Sequence, residues 1–86
     1  MMRGYHVVTG DGRRIGRVVG MRGDFLIVEV GRVLRSRRPL PMAFAHPNDA
    51  ARTVSVTVPR DSLRRSPRVN GTLDERAAAA HYGLAA

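Results

Sequence analysis

The sequence contains no cysteine, no lysine and no tryptophan, and its aromatic residues are two tyrosines and two phenylalanines. Without cysteine, a chain of 86 residues has neither disulfides nor thiolate metal ligands, so its stability must come from a small apolar core or from self-association. No stretch approaches the roughly 18 apolar residues of a membrane-spanning helix, and the N-terminus has no signal-like apolar run. We therefore expect a cytoplasmic protein that forms a homodimer.

Catalytic and metal-binding patterns are also missing from the sequence. The three histidines, His6, His46 and His81, are expected in different elements, without an acid or a second histidine at ligand spacing. No serine stands in a nucleophile-elbow pattern, and the acids are scattered. We predict that the protein is not an enzyme and uses no metal or cofactor.

The charge of the chain is strongly positive. All fifteen basic residues are arginine, and seven acids leave a formal net charge of +8. This charge attracts anions, although the use of arginine alone is also typical of a GC-rich coding genome. Residues 1 to 38 hold nine arginines and three acids, whereas residues 39 to 86 hold six and four.

The glycine-rich stretch VTGDGRRIGRVVG, residues 8 to 20, resembles a phosphate-binding loop at first sight. Such a loop must open a helix, because the amides that hold the anion belong to the helix N-terminus. Here Ile15, Val18 and Val19 alternate with glycines and form helices poorly. The stretch therefore predicts a β-hairpin with a tight turn. If Ile15 and Val18 both face the core, Gly16 must permit a bulge or bend between them.

Two further strands follow from apolar patterns. In FLIVEV, residues 25 to 30, three aliphatic residues share one face, and Phe25 and Ile27 make the other face unusually apolar. We expect the C-terminal segment or a partner subunit to cover that second face. Residues 53 to 58 alternate threonine or serine with valine and predict a half-buried strand. Prolines at 39, 41 and 47 exclude a central strand, so only a short strand is predicted at 42 to 45.

Two helices complete the predicted elements. Residues 59 to 67 begin and end with proline and predict one or two helical turns. Thr72 and Glu75 fit a capping box for a second helix, which Gly83 would end. This helix is too short to be stable alone, so it must dock. Its expected contact stripe consists of Leu73, Ala77, Ala80 or His81, and Leu84.

Arginine clusters are the surface feature that could bind a partner. The candidate anion or nucleic-acid surface consists of Arg32, Arg35, Arg37, Arg38, Arg60, Arg64, Arg65 and Arg68. Phosphate contacts of this kind give binding that depends on salt and little on sequence. Few aromatics are available for base stacking on single strands. A solvated basic surface and an acidic protein partner remain open as alternatives.

The order of these elements resembles the PRC-barrel superfamily, which includes the photosynthetic reaction-centre H subunit and the C-terminal part of RimM-type ribosome maturation factors. The matching features are D-G-x-x-I-G-x-V (Asp11, Gly12, Ile15, Gly16 and Val18), the L-I-V-E-V strand, the proline-flanked L-P segment and V-S-V-T-V-P-R-D-S-L-R-R-S-P. The likeness covers roughly residues 4 to 68. It implies an adaptor or assembly barrel without catalytic residues.

We therefore predict a mainly β protein: a PRC-type barrel of five to six strands over residues 1–69, and a C-terminal helix over residues 70–86 that packs on the barrel or on a partner subunit. The function expected is that of a stand-alone, self-associating binding or adaptor module. The alternative is an RNA- or ribosome-associated protein that uses the arginine-rich surface. The residues expected to contribute to self-association are Phe25, Ile27, Leu73, Ala77 and Leu84.

Overall fold

The computed structural model describes residues 2–84. In chain order the elements are β1 (His6–Val8), β2 (Arg14–Arg22), β3 (Phe25–Val30), β4 (Ser36–Pro41), a 3-10 turn (Met42–Phe44), β5 (Ala45–Asn48), β6 (Thr53–Val56), α1 (Arg60–Arg64) and α2 (Glu75–His81). The strands form one sheet in the order β4-β3-β2-β1-β6-β5. The β1 and β6 strands are parallel, and the other neighbours are antiparallel.

This arrangement confirms the prediction of a mainly β fold with one helix after the last strand and another near the C-terminus. The sheet is open, with β4 and β5 as its edges. Neither helix in residues 2–84 has the length and apolarity needed to cross a bilayer. Residues 1, 85 and 86, at the ends of the two predicted domains, lie outside the described residues.

The glycine-rich stretch forms the predicted hairpin. The Thr9 N–H donates to the Arg13 carbonyl at 2.9 Å, and the Gly12 N–H donates to the Thr9 carbonyl at 2.9 Å. Gly12 has a φ of +82°, in the left-handed region that favours glycine. The turn leads into β2 and not into a helix, so its amides serve the hairpin.

The predicted bend in β2 is present as two bulges. Ile15 has no partner on β1, and Val19 has none on β3. Gly16 lies between them where β3 leaves no room for a side chain: a Cβ would lie 2.6 Å from the Glu29 carbonyl oxygen and 2.8 Å from Val28 Cγ1. Glycine at this position therefore lets the bulged strand pack closely against β3.

One face of the sheet carries the main apolar core. Val54 and Val56 are buried there, as the alternation of residues 53 to 58 predicts. Leu63 of α1 is also fully buried and covers this face. The core cluster consists of Tyr5, Val7, Val18, Leu26, Val28, Val30, Leu40, Val54, Val56 and Leu63.

The other face of β3 is covered within the chain by α2. Phe25 and Ile27 are buried. The Tyr82 hydroxyl, just after α2, donates to the Pro39 carbonyl at 2.6 Å. Ala78 is the buried residue of α2 itself. The helix therefore docks through Ala78 and Tyr82, which lie four residues apart on one face.

The contact stripe predicted for this helix is wrong in its register. Ala77 is half-buried, whereas Ala80 and His81 are exposed. Asp74 and not Thr72 caps the helix, because its side chain accepts from the Ala77 N–H at 3.0 Å. Helix α2 therefore begins two residues later than a Thr72 cap would place it, and its buried position is Ala78.

The end of α2 follows the prediction. Gly83 has a φ of +73°. The N–H groups of Gly83 and Leu84 donate to carbonyls in the last turn of the helix at 3.1 and 2.8 Å. This pattern is a Schellman motif, which satisfies carbonyls that the helix end leaves free.

The short strand predicted at residues 42 to 45 is wrong, because Met42–Phe44 forms a 3-10 turn. The strand lies earlier, at Ser36–Pro41, and includes two of the prolines. Both this strand and β5, which contains Pro47, are edge strands. Proline is tolerated there because one side of an edge strand needs no N–H donors.

Candidate functional site

An open groove lies between the β1–β2 turn, the β3–β4 loop and α1. Its volume is about 720 Å³. Seven arginines line it: Arg13, Arg14, Arg17, Arg32, Arg35, Arg60 and Arg64. We call this feature the arginine groove.

The bulge at Ile15 explains how β2 supplies two arginines to the same groove. Arg14 and Arg17 are three residues apart, so in a regular strand their side chains would point to opposite faces. The extra residue at Ile15 shifts this alternation by one. Both arginines therefore line the groove.

The loop between β3 and β4 supplies the second wall. Gly31 has a φ of +101°, and a Cβ at this position would collide with the Leu34 carbonyl oxygen. Only glycine permits this tight reversal without strain. The reversal places Arg32 and Arg35 on the groove.

Helix α1 supplies the third wall. Arg60 and Arg64 are separated by four residues and share one face of the helix, as their spacing predicts. Leu63 is fully buried and anchors the helix to the core. Arg68, which would continue the row, lies beyond the end of α1.

The groove is electrostatically unbalanced. Glu29 is the only acidic residue that lines it in the described part of the chain. One Glu29 carboxylate oxygen lies 3.8 Å from Arg17 Nη2 and 3.6 Å from Arg35 Nη1. Within residues 2–84, no carboxylate lies within ion-pair distance of the other five groove arginines. The groove can therefore accept several negative groups at once.

The predicted arginine surface is divided by the fold. Arg32, Arg35, Arg60 and Arg64 line the groove, whereas Arg37, Arg38, Arg65 and Arg68 do not. Arg38 has a structural role, since its Nε donates to Ser36 Oγ at 3.1 Å and its Nη1 donates to the carbonyl of the buried Ser66. Burial, and then the nearby positive charge of Arg68, lower the pKa of the Arg38 guanidinium.

Sequence reasoning missed the three arginines of the β1–β2 hairpin and His6, which also line the groove. The pair Arg13-Arg14 directly after the predicted turn was a usable signal. The bulge predicted near Gly16 is the signal for Arg17, because a bulge changes which polar side chains of β2 share a face.

The residues expected in self-association do not line the arginine groove and belong to β3 and the C-terminal segment. Phe25 and Ile27 are covered by the chain itself, and Leu73 and Ala77 are half-buried. Leu84 is 44% exposed. It lies at an apolar cleft of about 410 Å³, which Phe25, Met42 and Ala79 also line.

The histidines remain apart. His6 lines the arginine groove, His46 lies on the edge strand β5, and His81 Nε2 is 2.6 Å from the Ser62 carbonyl oxygen. Residues 2–84 contain no group of three histidine or acidic side chains that could hold a metal ion.

No family model and no curated protein matches this sequence. The resemblance to PRC-barrel proteins therefore depends on the quoted motifs and on the order of the elements. The arginine groove is the feature from which a function can be argued.

Proposed function

We propose that the protein is a non-catalytic binding module that holds the sugar–phosphate backbone of a nucleic acid in the arginine groove. The observation that carries this proposal is the convergence of seven arginines, from three separate segments, on one open groove in which Glu29 is the only carboxylate among the described residues. Guanidinium groups bind phosphate oxygens in a bidentate, charge-assisted manner. Several of them along a groove fit a polymer that carries repeated phosphates.

The character of the groove favours a polyanion over a small ligand. Small-molecule sites are mostly apolar and enclose their ligand, whereas this groove is open and is lined mainly by charged side chains. An acidic protein segment is the competing partner. Carboxylates would meet the same arginines, so the two partners must be separated by measurement.

The PRC-type fold is part of this proposal. Bulges at Ile15 and Val19 increase the twist of β2 and support a sheet that curls toward a barrel. In RimM-type proteins a barrel of this kind serves ribosome maturation, so a ribosome-associated RNA is one candidate ligand. The basic groove supports the same ligand class independently of the resemblance.

Self-association is a second proposal, supported by the apolar cleft beside α2. Met42 and Leu84 are 37% and 44% exposed at this cleft. Contact between two copies there would bury these side chains. Native mass spectrometry at micromolar concentration should show a dimer, and a monomer alone would overturn this second proposal.

The test of nucleic-acid binding is a fluorescence anisotropy titration of labelled RNA, duplex DNA and an acidic peptide at two salt concentrations. We expect binding to nucleic acid that weakens steeply with salt, with a log–log slope of about 0.9 for each phosphate contact on B-DNA. An absence of nucleic-acid binding at low salt would overturn the proposal. Tighter binding to the peptide would also overturn it.

A matched pair of variants tests whether the groove is the binding site. The double variant Arg60→Ala/Arg64→Ala removes two groove charges, and Arg65→Ala/Arg68→Ala removes two charges outside the groove. We expect the first to weaken binding at least about tenfold and to reduce the salt slope by about 2, as expected for two lost phosphate contacts. The second should change affinity less than about threefold. Equal losses would show that binding follows net charge and not the groove.

A further inference from the structure

The tip of the β3–β4 loop presents two aliphatic side chains to solvent. Val33 and Leu34 are 91% and 90% exposed, whereas the other large apolar side chains that are exposed in residues 2–84 reach only 37% to 44%. Two adjacent aliphatic residues with almost no intramolecular contact are costly to leave in water. Packing within the described residues does not account for two aliphatic side chains at this position.

The tip is held in place by the sheet and is continuous with the arginine groove. The β3–β4 ladder extends to the pair Val30 and Ser36, at the base of the loop. Arg32 and Arg35 stand immediately before and after the two aliphatic residues, and both line the groove. A ligand that occupies the groove at these arginines therefore also reaches the tip.

We propose that the nucleic acid is a DNA duplex, and that Val33 and Leu34 insert between adjacent base pairs from the minor groove and kink the duplex. This inference rests on the proposed function. Proteins that bind the minor groove with arginine and other polar side chains frequently insert apolar wedges between base steps and so kink the duplex by about 20 to 90°. The negative potential of a narrow minor groove attracts arginine, which suits Arg32 and Arg35.

A single-stranded ligand fits these residues less well, because no phenylalanine, tyrosine or tryptophan lines the groove in the described part of the chain to stack on its bases. An anionic bilayer would also bury Val33 and Leu34. A flat bilayer does not enter a groove, however, so it does not account for the arginines that β2 and α1 contribute to the lining. A rod-shaped duplex can meet the tip and these arginines together.

The experiment separates binding from bending. A duplex of about 25 base pairs, long enough for a bend to be measured, carries a donor and an acceptor fluorophore at its two ends. We expect the wild-type protein to bind it and to raise energy transfer at saturation. The variant Val33→Ser/Leu34→Ser should bind within about fivefold of wild type but lose the rise in energy transfer. Because both side chains are exposed, its thermal unfolding should match wild type.

The control Met21→Ser removes a partly exposed apolar residue that lines neither the arginine groove nor the apolar cleft, and this variant should bend the duplex as wild type does. Duplex binding by wild type without a rise in energy transfer would overturn the wedge and leave the groove proposal intact. An absence of duplex binding would also overturn the proposed insertion of Val33 and Leu34. If the protein bound no RNA either, the proposed function would be overturned too. Binding to phosphatidylglycerol vesicles that is lost in Val33→Ser/Leu34→Ser, with DNA bending unchanged in that variant, would assign the tip to a bilayer.

Discussion

The two ends of one face of β3, which carries Phe25, Ile27 and Glu29, differ in how completely their side chains are satisfied. At the end covered by α2, Phe25 and Ile27 are buried, and the Tyr82 hydroxyl donates to the Pro39 carbonyl. At the other end, Glu29 is the one acidic residue among the described residues that line the groove with seven arginines, and it pairs with two of them. The apolar tip of the β3–β4 loop is also uncovered there.

This contrast separates stability from binding. Like charges gathered without counter-charges do not stabilise a folded chain, since their mutual repulsion opposes compaction. Side chains that contribute to stability should therefore be concentrated in the core and beside α2, whereas those that contribute to binding should be concentrated in the groove. Three substitutions test this division.

The largest effect is expected from Leu63→Ala. Leu63 is fully buried and ties α1 to the core, so the cavity should lower the free energy of unfolding by about 2–5 kcal/mol. Met21→Ala is the control, because Met21 is 38% exposed and lines neither the groove nor the apolar cleft, and it should cost less than about 1 kcal/mol, as typical of exposed positions. Urea denaturation measures both, and similar losses would refute the placement of α1.

The second effect compares Arg38, outside the groove, with two arginines that line it. Arg38→Ala removes the donor to the Ser66 carbonyl, and we expect a loss of about 1.5 kcal/mol, the lower end for hydrogen bonds to a charged group. Removing Arg60 and Arg64 together should change the free energy of unfolding by less than about 0.5 kcal/mol. If the loss of Arg60 and Arg64 lowered the free energy of unfolding more than the loss of Arg38 did, the division between stability and binding would be wrong.

The smallest effect concerns Tyr82 and its pH dependence. Tyr82→Phe removes the hydrogen bond to Pro39 and should cost about 0.5–1.5 kcal/mol at neutral pH. Burial raises the pKa of the Tyr82 hydroxyl above its ordinary value of 10.0. Its contribution is thus fully present below about pH 10 and is lost as the pH rises through the pKa of the folded state.

Denaturation of wild type and Tyr82→Phe at several pH values measures this contribution as the difference between the two proteins. The difference should be constant from neutral pH to about pH 10 and should then decline. A difference that grew above pH 10 would show that the folded state favours the ionised tyrosine, contrary to its burial.

Local patterns are sufficient to predict the hairpin, β3, helix α1 and β6, although the predicted strand of residues 53 to 58 runs two residues past the end of β6 at Val56. Each depends on residues close in sequence, such as the alternation of Val54 and Val56 or the turn at Gly12. The β4 strand was misplaced because Pro39 and Pro41 argue against a central strand, and edge position is a property of the whole sheet. The cap at Asp74 was missed because Thr72 and Glu75 fit the capping box equally well in sequence.

The arginine groove could be predicted only in part. Arg60 and Arg64 share a helical face, which their spacing shows. The convergence of α1, the β3–β4 loop and the hairpin on one groove depends on tertiary packing. Arg14 and Arg17 lie on the same face of β2 because the bulge is at Ile15. The sequence predicts a bulge or bend only in the region of Gly16.

The most direct measurement is a titration of the ¹⁵N-labelled protein with duplex DNA, followed by backbone amide shifts. Binding in the groove with insertion of the tip predicts that the shift changes concentrate at residues 13–17, 31–35 and 60–64, while residues 75–81 of α2 change little. Shift changes centred on α2, with the three groove segments unaffected, would contradict the assignment of binding to the arginine groove.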